Sequence, residues 1–229
     1  MKVFAISDLH LSSAVGKPMD IFGDGWLNHF ERVRENWLSL IGEDDLVLLG
    51  GDMSWGLTIE EAAPDYAAVA ELPGQKVVVK GNHDYYWTSL GKMQAAFPSF
   101  GFVQNNCLRR GKYLITGTRG WNLPTEDSSE HDLKIYRREL LRLELSLKCA
   151  EKAKTEDDVV IAMLHYPPFD AKYADSEVTT LLEKYGVRTV TYGHLHGKNA
   201  RVTPVVRKND ADYYLTSCDL VNNTPVRIF

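Results

Sequence analysis

The stretch that most restricts the fold is Gln75-Lys76-Val77-Val78-Val79-Lys80 running directly into Gly81-Asn82-His83-Asp84. Three successive valines read as a buried strand, and the glycine ends it. Three side chains able to hold a metal or move a proton follow at once. In an open α/β sheet, residues just past a strand's carboxyl end face the functional crevice. Asn, His and Asp are also ordinary turn formers. The tetrad therefore gains meaning only if other strands end the same way.

They do. Val3-Phe4-Ala5-Ile6 leads to Ser7-Asp8-Leu9-His10, with Asp8 and His10 two apart and on one face of extended backbone. Asp45-Leu46-Val47-Leu48-Leu49 leads to Gly50-Gly51-Asp52, where two glycines let the backbone turn sharply and approach an ion. Asp158 to Leu164 ends in His165-Tyr166-Pro167-Pro168, and Arg188 to Tyr192 ends in Gly193-His194-Leu195-His196. Of the seven histidines in the chain, His10, His83, His165, His194 and His196 all fall in these short stretches. Five separate structural histidines are a poorer explanation than one convergent site.

The residue types name the ion class. Imidazole, carboxylate and amide ligands without cysteine suit Mn, Fe, Zn, Co or Ni, not calcium or a thiolate-bound zinc. One ion cannot use so many ligands; two can, held ~3.5–4 Å apart to clamp both oxygens of a phosphoryl displacement.

Between the motifs the chain alternates strands with helical spacing. Trp26, Phe30, Val33, Trp37 and Leu40 form one stripe over Trp26 to Ile41, leaving His29 as a surface histidine. Glu60 to Leu72 reads as a second helix, with Thr58 and Glu61 as its capping box. Ser89 to Phe97 is a third helix, and Glu177 to Tyr185 another. Phe102-Val103-Gln104 and Tyr113 to Thr116 flank a hairpin turn at Arg109 to Lys112, and Trp121 to Asp132 is irregular. A long helix spans Leu133 to about Lys154, with Tyr136, Leu140, Leu143 and Leu147 inward; His131 before it has no assigned role. The stretch from Arg201 to Phe229 carries hairpin chemistry around Lys208-Asn209-Asp210. No repeat or linker divides the 229 residues, so the expectation is one domain, 1–229, with an inserted loop around 119–134.

Composition narrows the class. The net charge of −5, without a concentrated basic patch, disfavours nucleic acid as a partner. No apolar run approaches the ~18 residues of a membrane span, and the first residues turn polar too early for a signal peptide. Three cysteines without metal spacing argue against a disulfide framework. A soluble, cytoplasmic protein is expected; its oligomeric state stays open.

The ordered set Asp8-x-His10, Gly51-Asp52, Gly81-Asn82-His83-Asp84, His165 and Gly193-His194-x-His196 resembles the calcineurin-like metallophosphoesterases. The resemblance runs from the first strand nearly to the last. It implies an α/β fold, a four-layer αββα sandwich of two mixed sheets flanked by helices, with metals above the strand ends. It further implies that Asp8, His10, Asp52 and His196 hold one divalent ion and Asp52, Asn82, His165 and His194 the other, Mn or Fe being favoured and Asp52 bridging. His83 would face the leaving group, steadied by Asp84, which would favour the protonated ring. A hydroxide bridging the ions would attack phosphorus in line, with Asn82 on the non-bridging oxygens. One departure from the pattern is visible. Many members carry a second acid shortly after Gly-Asp, where this chain has Met53-Ser54-Trp55.

Aromatics crowd the motif ends. Trp55, Tyr85 and Trp121, with Arg119, are candidates for a rim around a small phosphorylated substrate. Core packing is the preferred reading for Tyr85, Tyr86 and Trp87, as the start of a helix. The implied activity is phosphate-ester hydrolysis, with monoester against diester open. A non-catalytic scaffold of the same fold and a nuclease are the alternatives.

Overall fold

Residues 1–197 and 202–229 are described by the computed structural model; Arg201, where the C-terminal stretch begins, lies outside them. Val3–Ile6 (β1), Leu46–Leu49 (β2), Gln75–Val79 (β3) and Phe100–Val103 (β4) lie parallel in one sheet. A second sheet holds Leu108–Arg110 (β5), Tyr113–Thr118 (β6), Val159–Leu164 (β7), Thr189–Tyr192 (β8), Val205–Lys208 (β9) and Ala211–Leu215 (β10) in the order β5-β6-β7-β8-β10-β9. Val226–Arg227 (β11) returns to the first sheet, antiparallel to β1. Both sheets are mixed, each with a parallel centre and antiparallel pairing at an edge.

The two-residue side-chain period sorts every strand into two layers. Val3, Ala5, Leu46, Leu48, Val77 and Val79 face the second sheet, where they meet Tyr113, Ile115, Ile161 and Met163. Phe4, Ile6, Val47, Leu49 and Val78 face outward, onto helices His29–Leu40 (α1), Ile59–Ala70 (α2) and Leu90–Ala96 (α3) through Val33, Trp37, Tyr66 and Met93. On the far side Leu114, Val160, Ala162 and Val190 cluster with Tyr136, Leu143 and Leu147 of Glu130–Ala153 (α4) and with Leu182 of Glu177–Lys184 (α5). The layers run helix, sheet, sheet, helix. This is the αββα sandwich, and each fully buried aliphatic side chain contributes roughly 1.5–3 kcal/mol to it.

Several local expectations are corrected. The hairpin partner of β6 is Leu108–Arg110 rather than Phe102–Gln104, because Phe100–Val103 stays with β3 and the chain crosses between sheets in 104–107. Helix α4 begins at Glu130, where Ser129 accepts a bond from the Asp132 N–H; this places His131 on its exposed first turn. Leu40 leaves the buried stripe of α1, at 39% exposure. His29 is half-buried, its Nε2 and Nδ1 lying 2.7 and 3.1 Å from the carbonyls of Leu9 and Trp26. At the cap of α2, Thr58 accepts from the Glu61 N–H as expected, but the Glu61 carboxylate accepts from Leu57.

The sheets are joined at their carboxyl ends. The Ser7 N–H donates to Thr216 at 2.8 Å, and the Cys218 N–H donates back to Ser7 at 3.1 Å. The ends of β1 and β10 therefore abut, and the loops leaving both sheets share one rim. Among the described residues, no helix is long and apolar enough to cross a membrane.

Candidate metal centre

The loops after β1 and β2 are laced together. The Asp8 N–H donates to Gly51 O and the His10 N–H to Asp52 O, each at 2.9 Å. Asp8, His10, Asp52 and His194 all have positive φ, at 61°, 46°, 52° and 69°. Non-glycine residues held there cost about 1–3 kcal/mol each and cluster at functional sites. The glycines are required by close approach: a Cβ on Gly81 would fall 2.0 Å from Asp52 Oδ1, and one on Gly193 2.5 Å from Asp8 Oδ2.

Two groups of ligand atoms result, each within 4.8 Å: Asp8, His10 and His196, and Asp8, Asp52 and His165. Asp52 Oδ2 stands 3.7 Å from His10 Nε2 and 3.4 Å from His165 Nε2, and so lies between the two. The approach of Asp8 to His165, 3.8 Å, is to Nδ1. That nitrogen is taken by the Gly50 carbonyl at 2.9 Å.

The donor chemistry fits a cation. A carbonyl only accepts, so His165 Nδ1 carries a proton. Its Nε2 nevertheless lies 2.6 Å from Asn82 Oδ1, another acceptor. A cation shared by the two atoms would satisfy both. Two carboxylates buried at the same place add negative charge that a cation would offset: Asp8 is 0% and Asp52 1% exposed. Burial, aided by the charges of Asp84 and Asp8 and opposed by that of His165, pushes the Asp52 carboxyl up to about 7. Against its burial, the bond from His196 and the charges of His165, His196 and His10 hold Asp8 below the usual range. Burial lowers His10 to about 3 and His194 to about 4, keeping both rings neutral and able to ligate.

His196 is oriented from behind. Its Nδ1 lies 2.9 Å from Asp219 Oδ1, and its Nε2 faces Asp8 at 3.5 Å. Although burial opposes it, the bonds to Asp219 and Asp8 raise His196 to about 10, so a metal ion at Nε2 would have to displace the proton held there. Carboxylate-backed histidines of this kind are the usual support of a metal ligand. Asp219 went unnoticed in the sequence, yet it follows the end of β10, a sixth strand end on the same rim. His194 lies further off: its ring centroid is 5.2 Å from that of His165, and its N–H donates to Asp8 Oδ2 at 3.0 Å.

Asp84 does other work than steadying the His83 ring. Its buried carboxylate accepts from Gly81 N–H (2.6 Å), Asp52 N–H (3.0 Å), Met53 N–H (2.9 Å) and the Tyr86 hydroxyl (2.7 Å). Asp84 thus fastens the β3 loop to the β2 loop, and among the described residues its hydrogen bonds go to these groups rather than to the His83 ring. The ring of His83 is set by packing, 4.5 Å from the Trp55 centroid and 5.6 Å from His10, with Nδ1 buried and unbonded. Burial, then the charges of Lys17 and His165, lower its pKa despite Asp84 and Asp8.

The aromatic residues divide. Trp55 stacks on His10 at 4.8 Å and carries the Lys17 ammonium 3.1 Å above its ring. Tyr85 is 58% exposed beside His83, while Tyr86 and Trp87 are buried. These three lie in a turn, and helix α3 starts only at Leu90. Arg119 lies over Trp121 at 4.7 Å, on the α4 side. Where many family members have a second acid, Ser54 donates to buried Asp65, which also accepts from the Ser13 N–H.

A family model for calcineurin-like phosphoesterases matches residues 1–198. The chain belongs to the calcineurin-like phosphoesterase family. As such it is a metal-dependent phosphoesterase, a hydrolase, and its two groups of Asp and His side chains could hold a metal ion. Its fold is similar to that of TT1561 from Thermus thermophilus, with 15% identity over 98% of this chain and 96% of that one, at a TM-score of 0.61. The protein of unknown function AQ665 from Aquifex aeolicus is similar at 13% identity over 99% and 95%, with a TM-score of 0.52. No curated protein matches the sequence significantly.

Proposed function

We propose that this phosphoesterase hydrolyses a small phosphorylated substrate at a centre of two divalent ions. Asp8, His10, Asp52 and His196 would hold one ion, and Asp52, Asn82, His165 and His194 the other. The observation that carries this reading is Asp52 Oδ2 standing within 3.7 Å of both His10 Nε2 and His165 Nε2. A single carboxylate oxygen near two imidazole nitrogens would suit a ligand shared by both ions. The imidazole, carboxylate and amide set suits Mn, Fe, Zn, Co or Ni. When bound, the ions supply Lewis acidity that activates water and neutralises charge on the phosphoryl oxygens.

The chain's residues do the rest. The second Asp52 oxygen accepts the His83 N–H at 2.7 Å, so the residue holding metal also fixes the backbone of the proton donor. The Asn82 amide N–H, opposite its ligating oxygen, can donate to a non-bridging phosphoryl oxygen. His83, as the imidazolium, would hand a proton to the departing oxygen and return to the neutral ring that burial favours, an effect worth typically ~10²–10⁴-fold. Trp55, stacked on His10 and close to His83, excludes water from one side.

A metal-by-substrate panel tests the reading, with p-nitrophenyl phosphate and its bis-ester offered under Mn, Fe, Zn, Co and Ni. Metal-dependent hydrolysis of either ester is expected, and the preferred ester assigns monoesterase or diesterase. A chain that binds the metals but cleaves neither ester contradicts the reading.

A further inference from the structure

On the α4 side of the rim, a polar hollow of about 200 Å³ is lined by Lys80, Gln104, Arg119, Arg138, Glu139 and Arg142, among others. Its charges do not balance. Glu139 is 2% exposed, and its Oε2 accepts the Thr118 hydroxyl at 2.6 Å. The other oxygen alone answers to Arg142 at 2.8 Å, Arg119 at 3.5 Å and Arg138 at 3.8 Å. The Lys80 ammonium adds a fourth cation, bonded to the Trp87 carbonyl at 2.9 Å. The Nε of Arg119 is buried with no hydrogen-bond partner. Three guanidinium groups around one carboxylate oxygen repel one another unless a further anion sits among them, and a buried guanidinium donor is costly to leave unmet.

The hollow adjoins the strand ends that carry the metal ligands. Lys80 directly precedes Gly81-Asn82, and the Arg119 carbonyl accepts from the N–H groups of His165 (3.2 Å) and Tyr166 (2.9 Å). The walls of the hollow are thus continuous in backbone with the loops that carry Asn82 and His165. Planar guanidinium forks match the oxygens of a tetrahedral anion.

We infer that this hollow is a second anion subsite, in which Arg119, Arg142 and Lys80 take a phosphoryl-sized oxyanion. The oxyanion is a second phosphoryl group of the substrate or free phosphate; the first source rests on the phosphoesterase reading, whereas the binding itself does not.

Calorimetric titration of inorganic phosphate into the full chain separates the two sites. The Mn-loaded chain is expected to take two equivalents, and the chelated chain to keep one. Arg142→Gln weakens the chelator-resistant site about tenfold or more. Arg138→Gln, whose side chain is 53% exposed and thus dispensable for folding, weakens it in the same direction. Absence of chelator-resistant binding, or affinity unchanged in both variants, overturns the inference; ester hydrolysis alongside that result leaves the metal centre standing. Chelator-resistant binding without hydrolysis of any ester upholds the inference and defeats the phosphoesterase reading.

Kinetics with the Mn-loaded chain identify the source. If the oxyanion is the substrate's own, Arg142→Gln raises KM for a sugar bisphosphate at least fivefold more than for p-nitrophenyl phosphate. Equal changes assign the subsite to free phosphate.

Discussion

His165 Nε2 and Asn82 Oδ1 face each other at 2.6 Å while the opposite nitrogen of the ring is bonded to the Gly50 carbonyl. Two acceptors at that separation would suit a shared cation, and they bring β3 and β7, strands of different sheets, to one point. Asn82→Ala removes one of them and should lower the bound metal by about one equivalent per chain. Elemental analysis after gel filtration measures this; full metal content in the variant would place Asn82 outside the ligand set.

His196 depends on Asp219, 2.9 Å behind it. Asp219→Ala frees the imidazole to rotate and should reduce metal affinity or turnover by roughly 10–100-fold. A metal titration that matches wild type would show that Asp219 merely shields the loop.

His83 touches no ligand group of either cluster by hydrogen bond through its ring, so its loss should separate chemistry from metal binding. His83→Ala is expected to lower kcat by about 10²–10⁴-fold with metal stoichiometry retained. Metal loss in step with activity would make it a ligand instead.

Gly81 has no room for a side chain, since a Cβ would lie 2.0 Å from Asp52 Oδ1 and 2.2 Å from Asp52 N. Gly81→Ala must push the β2 and β3 loops apart. Overpacking of this kind costs typically ~1–3 kcal/mol, to be read as a lower Tm together with reduced metal content.

Acid should weaken the second sheet at a defined place. Asp158 accepts from Arg109 Nη2 at 2.9 Å and from the Thr155 N–H at 2.6 Å, and these bonds hold its carboxyl below the usual range. A depressed carboxyl stabilises the fold at pH values above its unfolded pKa of about 3.9 and loses that contribution as pH falls through the folded value. Asp158→Asn should therefore lower Tm at pH 7, with the gap to wild type closing towards pH 2. A gap independent of pH would assign the effect to packing.

Much of this site could be read from the chain because strands end at defined points and their last residues are consecutive in sequence. Asp8, His10, Asp52, Asn82, His165 and His196 converge on the rim, and the αββα layers follow from period-two burial. What escaped depends on contacts between distant segments. Asp219 reaches His196 across 23 positions, and Asp84 is consumed by backbone N–H groups 31 and 32 residues away. Turn-forming residues look the same whether they grip a ring or a loop. The Cys107 N–H donates to the Cys149 sulfur at 3.1 Å, a proximity no spacing rule reveals because Cys149 sits within α4, 42 positions on. Strand β5 is hidden in the sequence because Phe102-Val103 is as apolar as a hairpin strand, and only pairing with β3 assigns that pair to the first sheet.

The central claim is a two-ion centre bridged by Asp52. The direct measurement is stepwise addition of Mn(II) to the metal-free chain, with hydrolysis of a phosphate ester as the readout. Activity should rise to a plateau at two equivalents per chain, and Asp52→Asn should abolish the plateau. Saturation at one equivalent, or undiminished hydrolysis in excess chelator, would contradict it.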